Sequence, residues 1–410
     1  MHYSVWKPWF QSKQGIVYTL YAAVFFLPIS QTMVDIFLAS SLVLSVRHCL
    51  ETGRFEWKIG PAAWPAAGFM LMAFLSVFSS RVLSFSFYNY LLLPGAYLLL
   101  YTLIYTYIKT RDEKKKILFC FLFGAAAVVV YGFYQYGHIK NMVAMDWVDP
   151  ERFPLLYRRM YSTLGNPNLL GAYLVMAVTM TSPFALMEKE KRNKVLLVGF
   201  LGICMAALLL TYSRNAWVSL GCAVLAAAIV YDRRLFAVIG AAALFIFIHH
   251  GQVTERFLSL FTGNDTSTDL RFALWESTCA MIQDHWIFGV GWGSYFLAYP
   301  AYNFFIEDSR IIIYHAHNMY LSMAAEIGIP GALCFFLFFF GQGVLGWHLY
   351  KKGRDCFNRS LGLGMFLTVT AMAVEGLGDY VFFSRAVSLC FWGMAALSSS
   401  CWAAEKKNKN

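Results

Sequence analysis

HNMYLSMAAEIGIPGALCFFLFFFGQGVLGWHL, residues 317–349, decides the fold. It contains no Lys or Arg and a single acidic residue, Glu326. A bilayer core is crossed by about 20 apolar residues in a helix, and a backbone in lipid must satisfy its own hydrogen bonds. The run is therefore a membrane helix with room to spare. Gly328-Ile329-Pro330-Gly331 interrupts it, and proline, lacking an N–H, is expected to break or bend it there. Working outward, similar runs lie near residues 14–30, 32–50, 61–80, 87–108, 117–137, 167–187, 195–211, 214–231, 235–249, 360–376 and 385–403. The whole chain of 410 residues is 59% hydrophobic and 14% charged, against about 25% charged in soluble domains. The expected fold is an all-α integral membrane protein, one polytopic domain over residues 1–410, with about twelve transmembrane helices.

The charge pattern sets the expected sidedness. Net charge is +10, but the basic residues sit at helix ends rather than in a nucleic-acid patch. Arg47, Arg54 and Lys58 fill one linker; Lys109, Arg111 and Lys114 to Lys116 another; Lys189, Lys191, Arg192 and Lys194 a third. Arg233 and Arg234, the 351–359 linker and the Lys406, Lys407, Lys409 tail continue the series. Every second linker belongs to this set, so these linkers and both termini are expected inside. The other linkers then face outward. Two are long, 138–166 and 250–316, and their mixed acidic, basic and aromatic residues suggest folded parts rather than tethers. The nine cysteines lack a CxxC pair, which leaves a zinc or redox site without support. The first apolar run has no convincing signal-peptide cleavage site and reads as a first span.

Several polar residues stand out in the outward linkers. Residues 269–285 show near-helical apolar spacing, with Thr268 or Asp269 as a cap and Gly289-Val-Gly-Trp-Gly293 as terminator. Arg271 falls in the first turn of that helix, where a cation is slightly disfavoured; it either anchors to headgroups or binds a ligand. Arg214 opens the eighth span on the outer side, against the usual bias. Arginine's planar fork suits phosphate, and Arg158 and Arg159 add charge nearby. These four could hold a diphosphate, or each could pair with an outer-loop carboxylate such as Asp146, Asp149 or Glu151. Gly165-Asn166-Pro167-Asn168 reads as a turn and helix start, with a weaker sugar-binding reading for Asn168. Tyr314-His315-Ala-His317-Asn318 closes the long loop. Two histidines at i,i+2 would lie on different helix faces and no third ligand is adjacent in sequence, so no metal is expected and proton transfer is the better reading.

Together these segments resemble the O-antigen ligase and polymerase superfamily, membrane glycosyltransferases of bacterial surface polysaccharide assembly. The resemblance runs from about Arg158 to Gly331. Its sharpest element is His317-Asn318, nine residues, then Gly328-Ile-Pro-Gly331; Gly-Asn-Pro-Asn168, Ser-Arg214-Asn-Ala-Trp217, Arg271 with Leu274-Trp275, and Gly289-Val-Gly291 support it. The resemblance implies about twelve spans in the bacterial inner membrane, cytoplasmic termini, and a large, partly helical periplasmic loop between the ninth and tenth spans. It also implies transfer of a glycan from undecaprenyl diphosphate to a lipid A–core or similar acceptor, with inversion and without metal or other cofactor. Arg214 and Arg271 would bind the donor diphosphate and His317 would be catalytic. Arg158, Arg159, Asn168, His315 and Asn318 would support them. A polymerase of the same superfamily is the near alternative. A lipid-linked glycan transporter is more distant, with Asp35, Glu326, Glu375, Asp379 and Arg385 as a conceivable ion pathway; Glu375 and Asp379, four apart, could share a face and pair with Arg385.

Overall fold

The computed structural model describes residues 12–138, 158–248, 254–255, 266–304 and 312–407. Most of the first long linker, and Asp146, Asp149 and Glu151 with it, lies outside the described residues, as do parts of the second. In chain order the helices are α1 (Ser12–Phe26), α2 (Gln31–Thr52), α3 (Ala63–Val77), α4 (Leu83–Tyr107), α5 (Arg111–His138), α6 (Pro167–Met187) and α7 (Lys191–Leu210). They continue with α8 (Arg214–Val230), α9 (Leu235–Ile248), α10 (Thr266–Asp284), α11 (Met319–Lys352), α12 (Cys356–Gly378) and α13 (Arg385–Lys407). No strand occurs among the described residues. Each apolar run named above contains a helix among the described residues. Among the described residues, eight helices are long and apolar enough to cross a membrane: α2, α4 to α7, and α11 to α13. Helices α3 and α8 are apolar but shorter.

Burial sorts these helices into inner and outer ones. Helix α13 is the most enclosed, with 89% of its apolar window buried, against 17% for α7 and 22% for α2. Trp392 of α13 stacks on Phe338 of α11 at 4.0 Å and also meets Phe69, Tyr97 and Tyr101. Hydrophobic driving force between helices is weak in lipid, so close backbone approach matters more. Helices α11 and α12 achieve it at Gly346 and Gly362, where an added Cβ would lie 2.7 and 2.6 Å from the other glycine's carbonyl oxygen. Helix α7, by contrast, presents Val195, Leu196, Val198 and Ile203 outward, as a lipid-facing helix would.

The break in α11 is where the sequence expects it, and its cause can be traced atom by atom. Gly328 has φ 73° and ψ 167°, outside the helical range. Pro330 has no N–H, so the carbonyl of Glu326 loses its partner one turn on. The Gly291 N–H supplies one at 3.1 Å. The Ile329 N–H turns away to the carbonyl of Trp286 at 2.8 Å, and the Ala325 carbonyl it leaves accepts from the Val290 N–H at 2.8 Å. Residues 286–291 thus dock as a backbone strap across the gap. Glycine is required on both sides: a Cβ on Gly328 would lie 2.0 Å from the Ile287 oxygen, and one on Gly289 (φ +69°) would lie 2.4 Å from the Glu326 carbonyl. The loop helix preceding the strap begins at Thr266. Thr268 and Asp269 therefore lie inside its first turn rather than at its cap, and Arg271 falls beyond that turn, where the dipole argument no longer applies.

Candidate active site

Three helix starts and one helix end meet at one end of the bundle. Asn166 caps α6: its side chain accepts from the N–H groups of Asn168 (2.8 Å) and Leu169 (3.4 Å), with Pro167 in the first turn. Asn318 caps α11, accepting from Tyr320 (2.9 Å) and Leu321 (3.1 Å), and its amide donates to the Leu377 carbonyl at 3.2 Å. Helix α8 opens at Arg214, and the next residue, Asn215, donates to the Glu375 carbonyl of α12 at 2.7 Å. Gly378 permits this contact, since a Cβ there would lie 2.7 Å from Asn215 Oδ1. Ser162, Tyr212 and His317 are the described non-glycine residues with positive φ. Such backbone costs about 1–3 kcal/mol per residue and persists where packing over-determines it. All three flank this meeting point.

Asp379, the residue after α12, is the hub. Its Oδ1 lies 3.1 Å from His317 Nδ1 and accepts the Tyr380 N–H at 2.8 Å. Its Oδ2 accepts from Asn168 Nδ2 at 3.4 Å. Asn168 Oδ1 in turn accepts from Arg159 at 2.8 Å, and Arg159 Nε donates to the Thr211 carbonyl at 2.8 Å. Burial by itself would raise the Asp379 carboxyl. The His317 hydrogen bond and the surrounding positive charge, that of Arg271 included, outweigh burial and hold it below the usual carboxylate range. In the tautomer whose Nδ1–H donates to Asp379, Nε2 is left as an acceptor. The His317 side chain is 38% exposed and Asp379 only 9%. The imidazole can therefore be reached from outside while its partner cannot.

The expected residues fall into distinct positions. His315 lies beside His317, rings 4.4 Å apart, and its Nδ1 accepts the His317 backbone N–H at 3.2 Å. Burial, then the neighbouring His317, pushes the His315 imidazole down to about 4, so it is neutral at pH 7. Arg271 of α10 acts electrostatically on both His315 and Asp379. The Trp275 indole one turn on donates to the Ala316 carbonyl at 3.0 Å, tying α10 to the histidine loop. Arg214 is buried at the first position of α8. Arg159 is buried in the brace between Thr211 and Asn168. Arg158 lies over the Tyr136 ring at 4.7 Å. Asn318 is accounted for by its cap.

Helical spacing would place the two histidines on different faces, but residues 315–318 precede α11 and His317 has φ 48°. Together with Asp379 they offer three ligand atoms within 4.8 Å of one another, the one such group that could hold a metal ion among the described residues. Both sequence grounds for expecting no metal, helical separation of the histidines and the lack of a third ligand, are therefore removed by the fold. As placed, His315 Nδ1 and His317 Nδ1 are both engaged in hydrogen bonds. Asp379, in turn, pairs with His317 rather than Arg385, which pairs with Asp35 across α2 and α13. Glu375 accepts from Ser219 Oγ at 2.6 Å, joining α12 to α8. Three of the five charged residues that suggested an ion pathway thus join one helix to another, and Asp379 serves the site.

No curated protein matches the chain. Residues 195–336, which run from α7 through Arg214, Arg271, His315 and His317 to the break in α11, match the family model described as O-antigen ligase.

Proposed function

We propose that the protein transfers a glycan from undecaprenyl diphosphate to a hydroxyl of a lipid A–core or similar acceptor, on the periplasmic side of the bacterial inner membrane. The observation that carries this reading is the His317–Asp379 pair, exposed on one side and buried on the other, within the charge field of Arg271. The basic-linker alternation supports an outward site and cytoplasmic termini.

The chemistry needs little beyond these groups. Neutral His317 takes the proton of the acceptor hydroxyl at Nε2 as the oxygen attacks the anomeric carbon. Asp379 orients the ring and stabilises the imidazolium that forms. The glycosidic bond to the carrier breaks on the opposite face, so the anomeric centre inverts. Arg214 and Arg271 receive the charge that develops on the diphosphate. Arg159 and Asn168 hold Asp379 from its other oxygen, and Arg158 lies at the edge of this group. No cofactor and no nucleic acid enter the scheme; the partners are the lipid-linked donor, the glycolipid acceptor and the surrounding lipid.

The test is transfer by purified protein in lipid vesicles with the carrier-linked glycan and the core glycolipid. His317→Ala should lower kcat by about 10²- to 10⁴-fold, the usual contribution of a general base. Arg214→Ala should raise KM for the donor more than for the acceptor. Full transfer by His317→Ala would sink the mechanism. A deletion strain separates the two superfamily activities: long carrier-linked chains with uncapped core mark a ligase, single-repeat products a polymerase.

A further inference from the structure

The residues proposed to handle the proton also form a ligand set. One nitrogen from each of His315 and His317 and one carboxylate oxygen of Asp379 lie within 4.8 Å of one another. Two imidazoles and a carboxylate on one ion, with a further position open, are the protein ligands of one common kind of zinc site. Zinc bonds of about 2.0–2.2 Å in a tetrahedron put neighbouring ligand atoms about 3.4 Å apart. His317 Nδ1 and Asp379 Oδ1 already meet that spacing at 3.1 Å, and turning the His315 ring closes the rest. The fold holds the set in place. His317 sits on a backbone of φ 48°, and Asp379 is fixed by the Tyr380 N–H and by Asn168. Asp379 is buried while the His317 side chain is 38% exposed. An ion therefore has an open approach and a shielded anionic ligand at its end.

Arg271 narrows the choice of ion. Its positive charge acts on both His315 and Asp379 and opposes any cation held by charge alone. Mg²⁺ and Ca²⁺ are of that kind and favour oxygen ligands. Zn²⁺, Cu²⁺, Ni²⁺ and Co²⁺ bond imidazole strongly and gain from both rings. Occupancy has a chemical consequence for His317, which acts as a base through the lone pair on Nε2. An ion on Nε2 takes that lone pair directly. An ion on Nδ1 takes the lone pair there, and the ring proton moves to Nε2, so the neutral ring again offers none. We propose that His315, His317 and Asp379 bind a zinc-class dication and that the bound ion blocks transfer. The ligand set stands on geometry; the block rests on the transferase reading above, in which His317 is the base.

Purified protein in vesicles, stripped with EDTA, is titrated with Zn²⁺ or Mg²⁺; binding is followed by calorimetry and transfer by initial rates. Free cysteines elsewhere also take zinc. The site is therefore read as the difference between wild type and two variants that each lose a ligand, His315→Ala and Asp379→Asn. Each should weaken this ion by about 100-fold or more, since even losing a group that only hydrogen-bonds to a ligand costs about 10- to 100-fold. Wild type should transfer at full rate after EDTA and slow by about 10²- to 10⁴-fold at saturating Zn²⁺, the contribution of a general base. Mg²⁺ should have no effect. The half-inhibiting Zn²⁺ concentration should rise in the variants by the same factor as the binding constant, each variant being compared with its own metal-free rate. Metal-free melting curves check that the variants fold; if His315→Ala does not, His315→Gln, which keeps the bulk, takes its place. Equal zinc binding by wild type and the variants overturns the site. Ligand-dependent binding with an undiminished rate overturns the block, and with it His317 as the base. Loss of transfer in EDTA that zinc restores also overturns the block, because the ion would then be part of the catalyst. If wild type transfers nothing under any condition, the transferase reading fails, and the binding comparison alone upholds or overturns the site.

Discussion

At the scale of single residues, Asp379 is the group whose removal is most informative. A hydrogen bond to a charged partner is worth about 1.5–3 kcal/mol, and each 1.36 kcal/mol is tenfold in rate. Asp379→Asn should therefore lower kcat by about 10- to 100-fold, with donor and acceptor KM little changed, measured by initial rates in vesicles. The same substitution has a pH signature. A carboxyl held below its ordinary range contributes stability that is present above that range and lost as pH falls through the folded value. The melting temperature of Asp379→Asn should thus fall below wild type at pH 7, and the gap should close as pH drops below about 4. A gap that stays constant with pH would mean the carboxylate charge is not what stabilises. His317 could be picked out from sequence because its neighbours in the chain form a recognisable pattern. Asp379 could not, because nothing local links an acid at the end of one apolar run to a histidine before another. Only the packing of α12 against α11 and α8 puts it there. For the same reason Arg159 and Asn168, separate hints in the sequence, become one brace only when folded.

At the scale of elements, the broken helix is the part most fully legible, and also the part whose purpose is hidden. Gly-Ile-Pro-Gly announces a break, but not that residues 286–291 fill it. That strap passes hydrogen bonds to Ala325 and Glu326 and takes one from Ile329, fixing the end of the large loop to the helix that follows His317. Gly328→Ala should be severe: it places a Cβ in the left-handed region and against the Ile287 oxygen. A loss of more than about 3 kcal/mol is expected, seen as a lowered melting temperature in detergent and as lost transfer. Gly331→Ala should be milder, because its nearest neighbours are the terminal atoms of the Ile327 side chain and Met72 Cβ, which can shift. Equal effects of the two would remove the strap from the account. The loop helix shows the complementary limit. Its apolar spacing was readable, but its start was not, because Thr268 and Asp269 are good capping residues that the helix overruns.

At the scale of the whole molecule, the question is which end faces out. The hydrogen-bonded cluster and the basic linkers occupy opposite ends of α11, α12 and α13. At the linker end, Arg111 pairs with Asp355, Lys114 donates to the Ser400 carbonyl, and Glu405 accepts from the Arg354 N–H and Asn358. In the proposed orientation that end is cytoplasmic, because membrane orientation follows Lys and Arg in short linkers. The assignment is open to chemistry because all nine cysteines are free. Two of them are exposed at opposite ends: Cys279 on α10 and Cys356 at the start of α12. In variants that retain only one of these, a membrane-impermeant maleimide applied to spheroplasts should label Cys279 at once. Cys356 should react only after the membrane is permeabilised. The reverse pattern would place His317 on the cytoplasmic side, where a carrier-linked glycan already carried across the membrane could not reach it. Labelling of both without permeabilisation would mean that the two ends are not on opposite sides, and the bundle would have to be threaded through the membrane differently from the way its charges dictate.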